Sequence, residues 1–169
     1  MGQYFPNAHP SIDFLVKSTA HYLLEHNGVD RAPVPVREIL SAPPPSLAHD
    51  ISLSETLLFG DARWIRLLSG QGVIFVNREA ALPEPERRYA MAAAAFYGVC
   101  ASRAGKQAGF PASASIRKYC SRFARELLMP PHLLPSEWRS MSAAALATVL
   151  GAPARVVALR QHELQSSSH

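Results

Sequence analysis

The segment from Arg87 to Ser102, RRYAMAAAAFYGVCAS, constrains the fold more than any other part of the sequence. After its two arginines almost every residue is apolar, and four consecutive alanines give the segment a high helix propensity. A helix that is apolar on nearly all sides has to be buried on nearly all sides. We therefore predict a central helix at about residues 87–103, around which a single hydrophobic core is built.

The length and composition indicate one globular domain. The chain has 169 residues, of which 48% are hydrophobic, enough for one sizeable core but not for two. No apolar run reaches the ~18 residues that a membrane-spanning helix needs. The first residues, MGQYFPNAHPSIDF, contain no basic region followed by an apolar stretch. We therefore expect no membrane partner and no secretory signal.

The two cysteines, Cys100 and Cys120, both lie among apolar helical positions. Two cysteines do not make a disulfide framework, and free cysteine is among the most frequently buried residue types. We predict two reduced, buried thiols, which is a cysteine usage typical of the cytoplasm.

The order of the remaining elements predicts a mixed fold. Apolar residues at helical spacing indicate helices after Ser11 and over 116–128, a short helix opened by Pro35, and two more helices between residues 140 and 164. Two apolar, β-branched runs around the turn SGQG predict a hairpin at about 63–77. Residues 46–59 are ambiguous: 48–53 suits a strand, whereas Ser54 suits the start of a helical turn.

The predicted fold class is therefore α+β: a mostly helical single domain, over residues 11–164, with a small antiparallel sheet. Residues 1–10 contain two prolines and no apolar periodicity, so we expect a flexible N-terminal arm. The sequence QSSSH at 165–169 predicts a disordered tail.

Five sequence blocks carry a family resemblance. In chain order they are VPVREIL, LSGQGVIFVN, ERRYAMA, FARELLMP and ALATVLGAPARVVALR, and they span most of the chain. In this order and at this spacing the chain resembles the ImmA/IrrE-type zinc metallopeptidase domain. The resemblance implies a zincin-like metallopeptidase scaffold. It also implies a bacterial or phage regulatory setting, because relatives with an intact centre cleave repressor proteins.

The sequence departs from that family at the catalytic centre. The family's central helix carries His-Glu-x-x-His, whose two histidines hold zinc while the glutamate acts as general base. The resemblance aligns Ala93, Ala94 and Tyr97 with these three positions. The family's third ligand is a glutamate on the next helix, where this chain has no carboxylate between residues 116 and 121.

The residue types alone lead to the same conclusion. Zinc in proteins is held by imidazole, thiolate or carboxylate groups, and between Glu86 and Glu126 there is no Asp, Glu or His. A metal-free reaction would need a positioned base, and Tyr97, with an ordinary pKa near ~10, is a poor one. We predict a pseudo-enzyme without metal or cofactor, in which Tyr97 and Tyr119 face each other where zinc would lie and fill that space. The alternative is that the two tyrosines shape a ligand pocket.

The charge distribution suggests a second feature. From Arg87 to Arg125 there are eight basic residues and no acidic one, although the whole chain has a formal net charge of only +4. Cations near the former substrate groove would favour an acidic partner. The candidates for binding an anion or a partner are Arg87, Arg88, Arg117, Lys118, Arg122 and Arg125.

These observations predict a non-catalytic interaction or regulatory module. We expect its partner to be another protein, either a repressor-type protein or a subunit of an assembly. One alternative is a protein that binds an anionic ligand or a nucleic acid in a basic groove at the former active site. A second alternative is a zinc hydrolase whose missing ligands come from a partner.

Overall fold

A computed structural model describes residues 11–56, 62–77, 82–102 and 116–166 of the chain. These ranges form six α-helices, three β-strands and a short 3₁₀ helix. In chain order they are α1 (Ile12–His26), α2 (Val36–Ser41), β1 (Ser52–Thr56), β2 (Ala62–Arg66), β3 (Gly72–Asn77), α3 (Glu84–Ala101), α4 (Ile116–Leu128), the 3₁₀ helix (Pro131–Leu133), α5 (Ala143–Leu150) and α6 (Ala154–Ser166).

The predicted central helix is confirmed as α3. It begins at Glu84, three residues before the predicted start, because Pro83 and Pro85 fit the first turn of a helix and acidic residues there suit the helix dipole. Its core face packs on α4, where the rings of Phe96 and Phe123 stack with centroids 4.7 Å apart. The helix is not buried all round, because the side chain of Tyr97 on the opposite face is 42% exposed.

The sheet has the strand order β1-β3-β2. The predicted hairpin is confirmed as the antiparallel pair β2–β3, with Trp64 opposite Ile74. The sheet is nevertheless mixed and not wholly antiparallel, because β1 pairs in parallel with β3. Of the two possibilities at residues 46–59, a strand is present, but it covers Ser52–Thr56 because Leu47 to Asp50 form a hydrogen-bonded turn just before it.

The peripheral helices follow their capping residues. Ser11 caps α1 through the Phe14 amide, and Ser142 caps α5 through the Ala145 amide. Gly151 ends α5 with a left-handed backbone at φ +56°. Helix α6 continues to Ser166, two residues into the predicted tail. The predicted arm, 1–10, and the end of the tail, 167–169, lie outside the described residues.

The length and apolar composition of a helix decide whether it can span a membrane. Among the described residues, no single helix is long and apolar enough to cross a bilayer. Only α5 and α6 taken together, with a bend of 106° between them, have the necessary length and composition.

Candidate functional site

The three positions aligned with the family's metal motif lie on one face of α3. Ala93, Ala94 and Tyr97 line an open groove with a volume of about 610 Å³, which we call the α3 groove. Because alanine has a short side chain, the middle of this helix face forms a low floor. The groove walls come from the edge strand β2, through Ala62, Arg63 and Trp64, and from α4, through Arg117, Cys120 and Ser121.

Trp64 forms one end of the α3 groove and is held in a tight seat. Its indole N–H donates a hydrogen bond of 2.6 Å to the carbonyl oxygen of Asp50. A Cβ added at Gly98 would lie 2.6 Å from the indole Cδ1, and one added at Gly72 would lie 2.7 Å from Nε1. Both positions therefore require glycine. The sequence interpretation missed Trp64, although a single glycine inside an alanine-rich helix was a signal that another group approaches closely.

Replacing Gly98 with alanine is expected to destabilise the protein by about 1–3 kcal/mol, because the added methyl group overlaps Trp64 and the Asp50 carbonyl. At an ordinary position inside a helix the same change stabilises by about 0.5–1 kcal/mol. Urea unfolding measures the sign, and the tryptophan emission of the folded variant reports the displacement of the indole. A stabilised Gly98→Ala variant with unchanged emission would contradict this account of the Trp64 seat.

The aromatic partner of Tyr97 differs from the prediction. The ring of Tyr97 contacts Trp64, with centroids 5.6 Å apart and planes tilted by 50°. Tyr119 does not line the α3 groove; the Lys118 ammonium lies 5.1 Å from the centre of its ring. On α4, residues 117, 120 and 121 face the groove, and residue 119 is rotated away because a helix turns by about 100° per residue. The predicted pair of Tyr97 and Tyr119 is therefore replaced by Tyr97 and Trp64.

The α3 groove does not suit the zinc ion that the family resemblance implies. Ala93, Ala94 and Tyr97 offer neither imidazole nor carboxylate, and of the described residues that line the groove only Cys120 has a side chain of a usual zinc-ligand type. Burial raises the pKa of Cys120 to about 12. In the described ranges, no three His, Cys, Asp or Glu side chains come close enough together to hold a metal.

The two thiols give a pH dependence with a definite sign. Burial raises the pKa of both Cys100 and Cys120 to about 12, whereas an unfolded thiol titrates near ~8.5. The folded state therefore retains protons that the unfolded state loses, so stability is full below pH ~8.5 and decreases as the pH rises toward 12.

The measurement is urea unfolding at pH 8 and pH 10. We expect the wild type to lose more stability between these values than the Cys100→Ala/Cys120→Ala variant, by up to about 1.4 kcal/mol per thiol per pH unit. Cavities in the variant change its stability at both pH values and so do not affect the comparison. Equal losses in the two proteins would contradict burial of the thiols.

Two of the six predicted anion-binding residues, Arg87 and Arg88, interact with other parts of the chain and do not line the α3 groove. Arg88 is buried, and its guanidinium donates to the carbonyl oxygens of Leu150 at 3.2 Å, Gly151 at 2.5 Å and Val34. Arg87 forms an ion pair of 3.6 Å with Glu84. The sequence interpretation placed Arg88 in a binding surface because it belongs to a run of basic residues without acidic ones, but its guanidinium joins three chain segments.

The four basic residues of α4 are divided between two sides of the helix. Arg117 lines the α3 groove. Lys118, Arg122 and Arg125 line a second cavity on an adjoining side of α4. Their spacing of four and three residues puts these three side chains on one helix face. The prediction of one basic groove at the former active site was wrong. Successive helix positions differ in direction by about 100°, so Arg117 lines the α3 groove whereas Lys118 lines the other cavity.

The chain matches no model of a protein family and no curated protein. The resemblance to the ImmA/IrrE-type domain therefore depends on the five sequence blocks. The functional interpretation is based on the side chains that line the α3 groove.

Strand β2 lies at the edge of the described sheet, beside the α3 groove. It is the last strand of the sheet and pairs only with β3 among the described residues. The Leu67 amide donates to the Gln71 carbonyl at 2.8 Å, which fixes the alternation of the ladder. The main-chain groups of Ala62, Trp64 and Arg66 therefore point away from β3. Such an edge can accept an additional, extended strand.

Proposed function

We propose that this chain is a catalytically inactive, ImmA/IrrE-like domain that binds an extended segment of a partner protein in the α3 groove. The observation that carries the proposal is an edge strand, unpaired on its outer side within the described ranges, beside an aromatic and alanine-lined groove whose described residues lack the side chains to hold a catalytic metal. The repressor-type or assembly partner and the bacterial regulatory setting come from the resemblance. The cytoplasmic location is part of the same proposal, supported by two buried, reduced thiols.

The groove suggests the chemistry of the bound segment. An added strand would receive main-chain hydrogen bonds from Ala62 and Trp64, while its alternate side chains reached the groove floor. The floor of Ala93 and Ala94, ending at Trp64 and Tyr97, suits one apolar side chain. Arg63 and Arg117 are exposed and line opposite walls. The segment we propose is therefore extended, with an apolar residue next to an acidic one.

A protein partner fits the charges better than a nucleic acid does. Of the six cations predicted to line the groove, only Arg117 lies there, and Arg63 joins it from β2. Non-specific nucleic-acid binding usually needs a larger set of phosphate contacts. Two separated arginines are enough to orient one or two carboxylates of a peptide.

The test is selection from a random peptide display library. The immobilised wild-type chain is the target, and Ala93→Arg, which fills the groove floor, is the variant for counter-selection. The matched control is Ala144→Arg, an exposed position on α5. Selected peptides are expected to carry the apolar–acidic pair, and their affinity should fall at least about tenfold for Ala93→Arg but less than twofold for Ala144→Arg. Circular dichroism verifies that each variant is folded.

A second pair of variants keeps this test decisive if Ala93→Arg does not fold. Arg63→Glu and Arg117→Glu change exposed side chains, and each should weaken binding of the acidic peptides about tenfold. Failure to enrich any peptide over Ala93→Arg, or equal binding to all these variants, would contradict the proposal.

The absence of catalysis is tested by restoring the family motif. The variant Ala93→His/Ala94→Glu/Tyr97→His should still leave an unfolded protein substrate uncleaved in the presence of zinc. The α4 residues that line the groove, Arg117, Cys120 and Ser121, include no carboxylate that could act as the third zinc ligand. The assay is gel analysis of the substrate. The zinc content of the purified wild type is expected to be well below one equivalent. Cleavage by the variant, or about one equivalent of zinc in the wild type, would favour a hydrolase.

A further inference from the structure

A second cavity lies on the side of α4 next to the α3 groove, and Ser121 lines both. It has a volume of about 790 Å³ and is lined by α1, α4, α6 and the segment 130–132. That volume is within the range of sites for small molecules. Three of the cations predicted from the sequence, Lys118, Arg122 and Arg125, line this cavity. The sequence did not indicate the cavity itself, because α1 and α6 are distant from each other along the chain.

The floor of the second cavity is a network of paired charges. Arg160 binds Glu126 through two hydrogen bonds of 2.9 and 2.5 Å, and Arg125 binds Glu163 through two of 3.2 and 2.6 Å. Burial alone would raise the pKa of Glu163, but hydrogen bonds and charges from Arg125 and then Arg160 hold it below its usual value. The carboxylates of the floor are thus compensated and leave little negative potential in the cavity.

The rim of the second cavity is cationic. Lys17 on α1 and Lys118 and Arg122 on α4 line it, in addition to the two arginines of the floor. Asp13, outside the cavity, pairs with Arg122. Lys17 and Lys118 are exposed and form no ion pair with any residue that the structure describes. Two positive charges on two different helices therefore remain uncompensated.

The cavity also has an apolar wall. Ala20 and Leu24 of α1, together with Pro130 and Pro131 after α4, contribute to its lining. Ala20, Leu24 and Pro130 are buried, so the exposed apolar part of this wall is Pro131. An inorganic anion would leave the Pro131 ring in contact with water. A molecule with an apolar body and a charged end would cover it.

We propose that the second cavity binds a small organic anion with two negative charges and a compact apolar body. The charged end would lie between Lys17 and Lys118, with Arg122 nearby, and the body would lie against Pro131. A phosphate monoester and a dicarboxylate share this chemistry. The proposal does not depend on peptide binding in the α3 groove.

The experiment is isothermal titration of the full chain, at low salt, with phenyl phosphate, phthalate and neutral benzyl alcohol. The variant is Lys17→Gln/Lys118→Gln, and the matched control is Arg31→Gln/Arg139→Gln, which removes two exposed cations elsewhere. We expect saturable binding of at least one of the two dianions. The affinity should fall about tenfold or more in the lysine variant and less than twofold in the control, and it should weaken as salt rises.

The outcomes separate the ligand sources and the two proposals. Binding of phenyl phosphate alone identifies a phosphate monoester site, and binding of phthalate alone identifies a dicarboxylate site; either supports the inference. The inference is overturned if neither dianion binds, if benzyl alcohol binds as tightly as they do, or if the lysine variant binds them unchanged. The Ala93→Arg variant should bind the dianion normally, so failure in one site is distinguishable from failure in the other.

Discussion

Replacing Glu126 with leucine is expected to destabilise the protein by about 3–5 kcal/mol. Glu126 and Arg160 are a buried pair, with side chains only 8% and 7% exposed. Removal of the carboxylate would leave the Arg160 guanidinium buried with its nearest remaining carboxylate oxygen, on Glu163, at 3.5 Å. Urea unfolding, followed by circular dichroism, measures the loss.

Two further variants separate the charge effect from packing. In Glu126→Leu/Arg160→Met both charges are absent, so we expect the double variant to regain most of the stability lost by Glu126→Leu. The matched control is Arg155→Met, which breaks the more exposed pair with Glu86 and should cost less than about 1 kcal/mol. A double variant that is less stable than Glu126→Leu would contradict the interpretation of a buried charge that has lost its main partner.

The second large effect is expected at Arg88. Replacement by methionine should destabilise the protein by about 3 kcal/mol or more, because three carbonyl oxygens lose their donor and each buried unsatisfied group costs about 1–3 kcal/mol. These carbonyls belong to Val34, Leu150 and Gly151, so the loss would loosen the contact of α3 with the chain before α2 and with the α5–α6 turn. The measurement is again the free energy of unfolding in urea.

The neighbouring Arg87 provides the control for Arg88. Arg87→Met removes the same charge one residue away, at a position with a carboxylate partner 3.6 Å distant, and should cost less than about 1 kcal/mol. Arg88→Lys keeps the charge but cannot reach three carbonyls with a fork of donors, so it should restore only part of the stability. Equal losses for Arg87→Met and Arg88→Met would show that Arg88 has no special structural role.

The sequence predicted those elements whose signals are local. The helix around Met91 follows from alanine propensity, α4 from the spacing of Phe123 and Leu127, and the hairpin from two β-branched runs around a glycine turn. The capping residue Ser11 located the start of α1. Each of these signals is contained within one turn or one strand, so no knowledge of the rest of the chain was needed.

The parts that could not be predicted depend on distant contacts. The strand β1, sequence SLSET, has a weak pattern of its own and is ordered by pairing with β3. The division of Arg117 from Lys118 required knowing which face of α4 meets α3. Trp64 lies beside Tyr97 because β2 packs on α3, a contact that neither segment encodes alone.

The most direct test of the central claim is an NMR titration of the isotope-labelled chain with a selected peptide that contains the apolar–acidic pair. If the segment adds to the edge of β2, the largest shifts should occur at the amides of Ala62, Trp64 and Arg66, and at Ala93, Ala94 and Tyr97 on α3. Shifts confined to α1 and α6, or spread over the surface without the β2 edge, would contradict peptide binding in the α3 groove.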